Sequence, residues 1–189
     1  MRQSTLDLID SELRDSYLSY QKLTYENREK IFTHSIRVDP WWSGEKHEKI
    51  KQYQLDWSPL YKYSVQPDLD EIISTEDIGI YLFIIKPNEV IVGSPQHVIY
   101  VGISGEHGSE RPLKERLKDY YNFNKLVKRK GIHKALQLYY EESYFCYSLF
   151  KGPYHEIEKL EVLLHEYFSP KWAYRDYEPS TKAARSAWG

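Results

Sequence analysis

Hydrophobic residues recur at three- and four-residue steps in the first third of the chain, which predicts an amphipathic helix. The pattern starts at Leu6, continues through Leu23 and fades near His34. A shorter, charged helix is predicted from about residue 45 to residue 54. These segments make residues 1–70 a helical N-terminal extension, and the main domain is predicted to span residues 71–189.

The main domain has a different pattern. Residues 79–85 and 97–103 are two apolar runs close in sequence, which is typical of an antiparallel strand pair, and residues 143–150 alternate as a third strand. Helices are predicted over residues 112–130, from there to about residue 142, and over residues 155–168. The pattern therefore predicts an α+β fold, with a small three-stranded, mainly antiparallel sheet flanked by helices.

Composition narrows the class of protein. The chain has 189 residues, of which 41% are apolar and 29% are charged, and its net charge of −2 excludes a strongly basic DNA-coating protein. Its one cysteine, Cys146, excludes a disulfide framework and a cysteine-based zinc cluster. No apolar run approaches the ~20 residues that span a bilayer, and the N-terminus lacks the apolar run of an export signal. We expect a soluble, cytoplasmic protein with no membrane partner.

One stretch departs from this neutral balance. Residues 111–134 carry nine basic and two acidic side chains, a local net charge of +7. Such a positive surface is typical of polyanion binding, although a solvated helix face would carry the same charges. The predicted nucleic-acid contacts are Arg111, Lys114, Lys118, Lys125, Lys128, Arg129, Lys130 and Lys134.

A carboxylate lies beside the apolar stripe of the last predicted helix. Glu161 follows Ile157 by four residues and precedes Leu164 by three. A carboxylate at the edge of a core is costly unless a cation or a metal compensates its charge. Glu161 is therefore a candidate metal ligand, and a boundary glutamate paired with a lysine would explain the same position.

Four features of the main domain match one family in order. Gly-Ile-Tyr at 79–81 and Tyr-Val-Gly at 100–102 resemble the two strand motifs of the GIY-YIG nuclease superfamily. Arg116 and Tyr120 resemble the arginine and the tyrosine or histidine of its next helix. Glu161 resembles its metal-binding glutamate, with a proline nine residues later as in the family. The match spans about residues 79–173, half the chain.

The resemblance implies hydrolysis of phosphodiester bonds with a divalent ion. Arg116 would bind the scissile phosphate, Tyr120 would complete the hydrogen bonds to it, and Glu161 would hold Mg²⁺, or Mn²⁺ in its place. Tyr81 or Tyr100 would orient or deprotonate the attacking water, and the sequence does not decide between them. The tyrosine that acts as a base needs positive charge nearby, because its ordinary pKa is about 10.

The resemblance leaves two functions open. The first is a metal-dependent endonuclease for double-stranded DNA, of a stand-alone restriction or phage-defence type, in which residues 1–70 recognise DNA or form a homodimer. The second is a catalytically decayed fold that binds nucleic acid or protein. Ala173 favours the second function, since the family usually has asparagine there. The four matching features favour the first, although they do not distinguish DNA from RNA.

Overall fold

The sheet has four antiparallel strands in the order β1-β4-β2-β3. The computed structural model describes residues 40–73, 77–86, 96–105, 109, 111–168 and 170, so the helix predicted from Leu6 lies outside the described residues. The strands are β1 (Tyr61–Lys62), β2 (Gly79–Ile85), β3 (His97–Ile103) and β4 (Ser143–Leu149). The predicted α+β class and the three longer strands are confirmed.

The prediction of three strands is wrong, because a fourth strand precedes them. In β1, Tyr61 pairs with Phe145 and Lys62 pairs with Tyr144 on the outer side of β4. Two residues between Pro59 and Pro67 are too few to show the alternation by which strands are recognised. The chain before residue 70 thus contributes to the sheet, and a distinct role for residues 1–70 stays a prediction.

Six α-helices and two 3₁₀ turns are described. The α-helices are α1 (Pro40–Lys51), α2 (Leu69–Ile72), α3 (Leu113–Lys118), α4 (Phe123–Leu126), α5 (Lys130–Leu138) and α6 (Tyr154–Phe168), and the turns are Tyr63–Val65 and Asp119–Tyr121. The charged helix predicted from residue 45 begins earlier, at Pro40, a residue favoured at the first position of a helix. Within the described ranges, no helix combines the length and hydrophobicity that crossing a membrane requires.

The single helix predicted over residues 112–130 is broken in the structure. It ends as α3 at Lys118, continues as the 3₁₀ turn and restarts as α4 after Asn122. The Asn122 side chain accepts a hydrogen bond from the backbone N–H of Lys125, which caps the new helix. The break places Asp119 and Tyr120 in the turn, where both are buried.

The two faces of the sheet carry different layers. Ile80 and Leu82 of β2 share a core with Leu160 and Leu164 of α6. Because side chains alternate along a strand, Tyr81 points to the opposite face, which α3 and the 3₁₀ turn cover. The central strand β2 is consequently buried along its whole length.

Candidate active site

The three predicted catalytic tyrosines lie together on one face of the sheet. Antiparallel pairing of β2 and β3 brings Tyr81 and Tyr100 together, with 6.2 Å between their ring centroids. The 3₁₀ turn adds Tyr120, whose hydroxyl oxygen lies 2.7 Å from that of Tyr81. The ring of Tyr120 lies 6.2 Å from that of Tyr100. The structure therefore joins these three residues in one aromatic cluster.

Both glycines of the strand motifs make room for this cluster. A Cβ atom at Gly102 would lie 2.8 Å from a ring carbon of Tyr100 and still closer to the hydroxyl end of Tyr81. A Cβ atom at Gly79 would lie 2.8 Å from a methyl group of Leu113, at the start of α3. Gly102 thus lets the Tyr81 ring lie over β3, and Gly79 lets α3 approach β2.

Tyr81 and Tyr120 are the deeply buried members of this cluster. Tyr81 and Tyr120 are each 0% exposed. Burial raises the pKa of Tyr81 well above its ordinary range; Tyr100 adds to the rise, and the charges of Arg116 and Arg129 oppose it. Burial likewise raises the pKa of Tyr120. Tyr100 is only partly buried, so it is the tyrosine of the three that solvent reaches.

Arg116 and Arg129 both act on this cluster, although the sequence assigned them to different sites. The half-buried Arg116 lies on α3, and its charge acts on Tyr81. Arg129, predicted as a DNA contact on the surface, has a side chain that is only 20% exposed. Its Nη1 donates a hydrogen bond of 2.6 Å to the Tyr120 hydroxyl, and its guanidinium carbon lies 4.6 Å from the ring centroid.

A buried carboxylate holds three of the predicted DNA-binding cations. The side chain of Asp119 is 4% exposed and lies 2.7 Å from Arg111, 2.6 Å from Lys125 and 3.2 Å from Arg129. Burial alone would raise the pKa of Asp119, but the hydrogen bonds from Arg111 and Lys125 hold it below its ordinary value. Three cations around one carboxylate leave a local charge of +2.

Other cations of the basic stretch divide between ion pairs and solvent. Lys118 lies 2.9 Å from Asp70 and 2.9 Å from Glu115, and Lys114 lies 3.8 Å from Asp70. Exposed ion pairs of this kind contribute little to stability. Lys128 and Lys134 are exposed, whereas the side chain of Lys130 lies outside the described residues.

The predicted metal ligand belongs to the other layer. Glu161 is 2% exposed on α6, whose apolar stripe packs against the face of the sheet opposite Tyr81. Its Oε1 lies 3.8 Å from Nε2 of His165. A single carboxylate suffices for Mg²⁺, since this ion keeps several waters and takes phosphate oxygens, so Glu161 fits it in donor chemistry. Among the described residues, no group of three or more acidic, histidine or cysteine side chains is placed to hold a metal.

Sequence reasoning missed Asp119. In the sequence it is only one of two acidic residues in a stretch that has nine basic ones. A count of charges does not show which way a side chain points. Its position four residues before Phe123, between two short helices, gives no motif. The available signal was that Asp119 directly precedes Tyr120 and is followed by Lys125 after six residues and by Arg129 after ten.

Comparisons with known proteins give no match. No family model, no curated protein and no solved structure matches this chain.

Proposed function

We propose that this protein is a metal-dependent endonuclease of the GIY-YIG type that hydrolyses phosphodiester bonds in DNA. The observation that carries the proposal is the cluster of Tyr81, Tyr100 and Tyr120, on which the charges of Arg116 and Arg129 act. Neutral hydroxyl donors beside guanidinium groups are the groups that bind and polarise a phosphate. The same residues carry the resemblance to the family.

We assign different roles to Tyr81 and Tyr100 because their exposure to solvent differs. The hydroxyl of Tyr81 is buried and bonds to that of Tyr120, and burial raises the pKa of Tyr81, so we assign to it the role of a neutral hydrogen-bond donor within the cluster. Tyr100 is the partly exposed member and is the one that orients the attacking water. Tyr100, rather than Tyr81, is therefore the residue that we propose to contact water.

Arg116 supplies the positive charge at the phosphate. A guanidinium group is always charged and offers a planar fork of N–H donors that matches two phosphate oxygens. Its charge also opposes the rise in the pKa of Tyr81. Arg116 is therefore the residue whose loss should abolish cleavage most cleanly.

Glu161 is the residue that would hold Mg²⁺, with Mn²⁺ as a substitute. When bound, such an ion neutralises charge on the phosphate and activates water. Glu161 lies on α6 beneath the sheet, and α6 packs mainly against β3, the edge strand that also carries Tyr100. The Glu161 carboxylate is thus held on a helix that packs against the strand of Tyr100.

We propose that the substrate is double-stranded DNA and that it binds along the exposed cations. Lys125, Lys128 and Lys134 are exposed, and the Asp119 cluster keeps a surplus of positive charge. Phosphate contacts of this kind position DNA without reading its sequence. Sequence recognition, and any homodimer, would come from residues 1–70, in keeping with a stand-alone restriction or phage-defence enzyme.

The test is cleavage of supercoiled and bacterial genomic DNA with Mg²⁺, with Mn²⁺ or with EDTA. Wild type should give metal-dependent products, and Arg116→Ala and Glu161→Ala should give none. Lys51→Ala is the matched control, because Lys51 is an exposed cation on α1 that pairs with Glu48. Cleavage that persists in Glu161→Ala and in EDTA would show that the metal site is wrongly assigned.

A second function is favoured by the burial of the tyrosine hydroxyls. Tyr81 and Tyr120 hydrogen-bond to each other without solvent exposure, as side chains of a purely structural network do. A decayed nuclease fold that binds nucleic acid or protein would keep this network. Retained DNA binding with no cleavage by wild type in any metal would establish this function instead.

A further inference from the structure

Arg129 connects the buried tyrosines to the Asp119 cluster. Its Nη1 donates to the Tyr120 hydroxyl at 2.6 Å, and its Nη2 lies 3.2 Å from Oδ2 of Asp119. We propose that Arg129, held by Asp119, is a positioning residue that orients the hydroxyls of Tyr120 and Tyr81 toward the phosphate of a nucleic acid. This inference rests on the proposed nuclease function and adds a role that the motif resemblance does not contain.

The direction of the hydrogen bond from Arg129 follows from the chemistry of the groups. An arginine has donors only, so the Tyr120 oxygen must accept the bond from Arg129. Tyr120 has one proton of its own, and the nearest hydroxyl oxygen, that of Tyr81, is 2.7 Å away. Either hydroxyl could donate in this bond. The proposal takes Tyr120 as the donor, which leaves the Tyr81 proton for an acceptor outside the pair, and it gives that part to the phosphate.

Asp119 fixes Arg129 without cancelling its charge. Oδ1 of Asp119 receives Arg111 at 2.7 Å and Lys125 at 2.6 Å, while Oδ2 faces Arg129. Two other cations therefore share the carboxylate, and the cluster keeps its charge of +2. Stacking over the Tyr120 ring, at 4.6 Å from its centroid, restricts the guanidinium further. An arginine restrained in three ways is a positioning group and not a mobile surface contact.

The experiment compares Arg129→Ala and Arg129→Lys with wild type and with Lys51→Ala. Three quantities are measured: the single-turnover cleavage rate at saturating DNA, the affinity for DNA at fixed salt, and the protection of the Tyr81 and Tyr120 hydroxyl protons from exchange with solvent by NMR. Tyr81→Phe and Tyr120→Phe assign the two proton signals. Melting temperatures verify that each variant is folded.

The proposal expects a rate that falls by roughly ten- to hundredfold in Arg129→Ala, because the charged hydrogen bond that orients the Tyr120 hydroxyl is lost. Affinity should fall no more than in Lys51→Ala. Arg129→Lys keeps the charge but cannot span Tyr120 and Asp119, so it should restore little of the rate. Both variants should lose protection of the hydroxyl protons.

Two results would overturn the proposal. Full rescue of the rate by Arg129→Lys would show that only charge matters, and unchanged hydroxyl protection in Arg129→Ala would show that Arg129 does not orient the tyrosines. If wild type cleaves no nucleic acid, the proposed nuclease function fails, and the exchange measurement still decides whether Arg129 positions the hydroxyls. The two failures are therefore distinguishable.

Discussion

Replacement of Gly102 by alanine tests the geometry on which the candidate site depends. The new methyl group would lie 2.8 Å from a ring carbon of Tyr100 and closer still to the hydroxyl end of Tyr81, so at least one ring must move. The Tyr81 ring has no free space, because it is 0% exposed and its hydroxyl is bonded to Tyr120 at 2.7 Å.

The substitution Gly102→Ala should lower the stability of the fold in two ways. Overpacking of a filled core costs about 1–3 kcal/mol, and separation of the buried hydroxyl pair costs about 1–3 kcal/mol more. We expect Gly102→Ala to lower the free energy of unfolding by about 2–6 kcal/mol, and so to lower the melting temperature by roughly 5 to 20 °C. Calorimetry and urea unfolding measure these quantities directly.

Gly44→Ala is the matched control. Gly44 lies in α1 and nothing lies within 4 Å of its added Cβ, so alanine should raise stability by about 0.5–1 kcal/mol through helix propensity. The double variant with Tyr81→Leu removes the ring that the methyl group meets, and should recover at least half of the loss. If Gly102→Ala melts like the control, or costs the same with Tyr81 and with Leu at position 81, the tyrosine does not lie over Gly102.

Three further predictions follow from single side chains. Tyr120→Phe keeps the ring but leaves Arg129 and Tyr81 without their shared partner, and urea unfolding should show a loss of about 1–3 kcal/mol. The lowered pKa of Asp119 means that its stabilising effect is complete above its unfolded pKa near 3.8 and is lost as the pH falls through the folded value. The stability difference between wild type and Asp119→Asn, followed by urea unfolding from pH 7 to pH 2, should therefore shrink on acidification; a constant difference would contradict the ion cluster. Burial raises the pKa of Cys146 to about 11, so a thiol reagent at pH 8 should modify the folded protein far more slowly than the urea-unfolded chain, and equal rates would contradict that burial.

The sequence predicts the elements of the site better than the directions of its side chains. Two β-rich runs were enough to predict β2 and β3, and their antiparallel pairing alone brings Tyr81 near Tyr100. Alternation also predicts that Tyr81 and Ile80 point to opposite faces. Such rules are local, and they succeed where an element is long enough to show its period.

The pattern of charges in the sequence does not predict which cations are exposed, and the reason is physical. Arg129 and Lys128 are adjacent cations in the sequence, yet the first bonds to Tyr120 while the second is exposed. They differ because the helix breaks after Lys118, which turns Asp119 inward and gives Arg129 a buried partner. A buried carboxylate is retained when cations compensate it, so the position of Asp119 depends on tertiary contacts that charge counting does not contain.

The arrangement of layers determines where a substrate can meet both halves of the candidate site. Tyr81 and Tyr120 lie on one face of the sheet, and Glu161 lies on α6 against the other. The strand β3 lies at one edge of the described sheet, between the tyrosines on one face and α6 on the other. The Tyr81 hydroxyl lies over Gly102 of β3, and α6 packs mainly against the same strand from the opposite face. Tyr100 on β3 is the partly exposed member of the tyrosine cluster, whereas Tyr81 and Glu161 are buried, so the proposed nuclease function places the phosphate beside Tyr100 along this edge. The nuclease function therefore requires DNA to lie along β3, and a binding module has no such requirement.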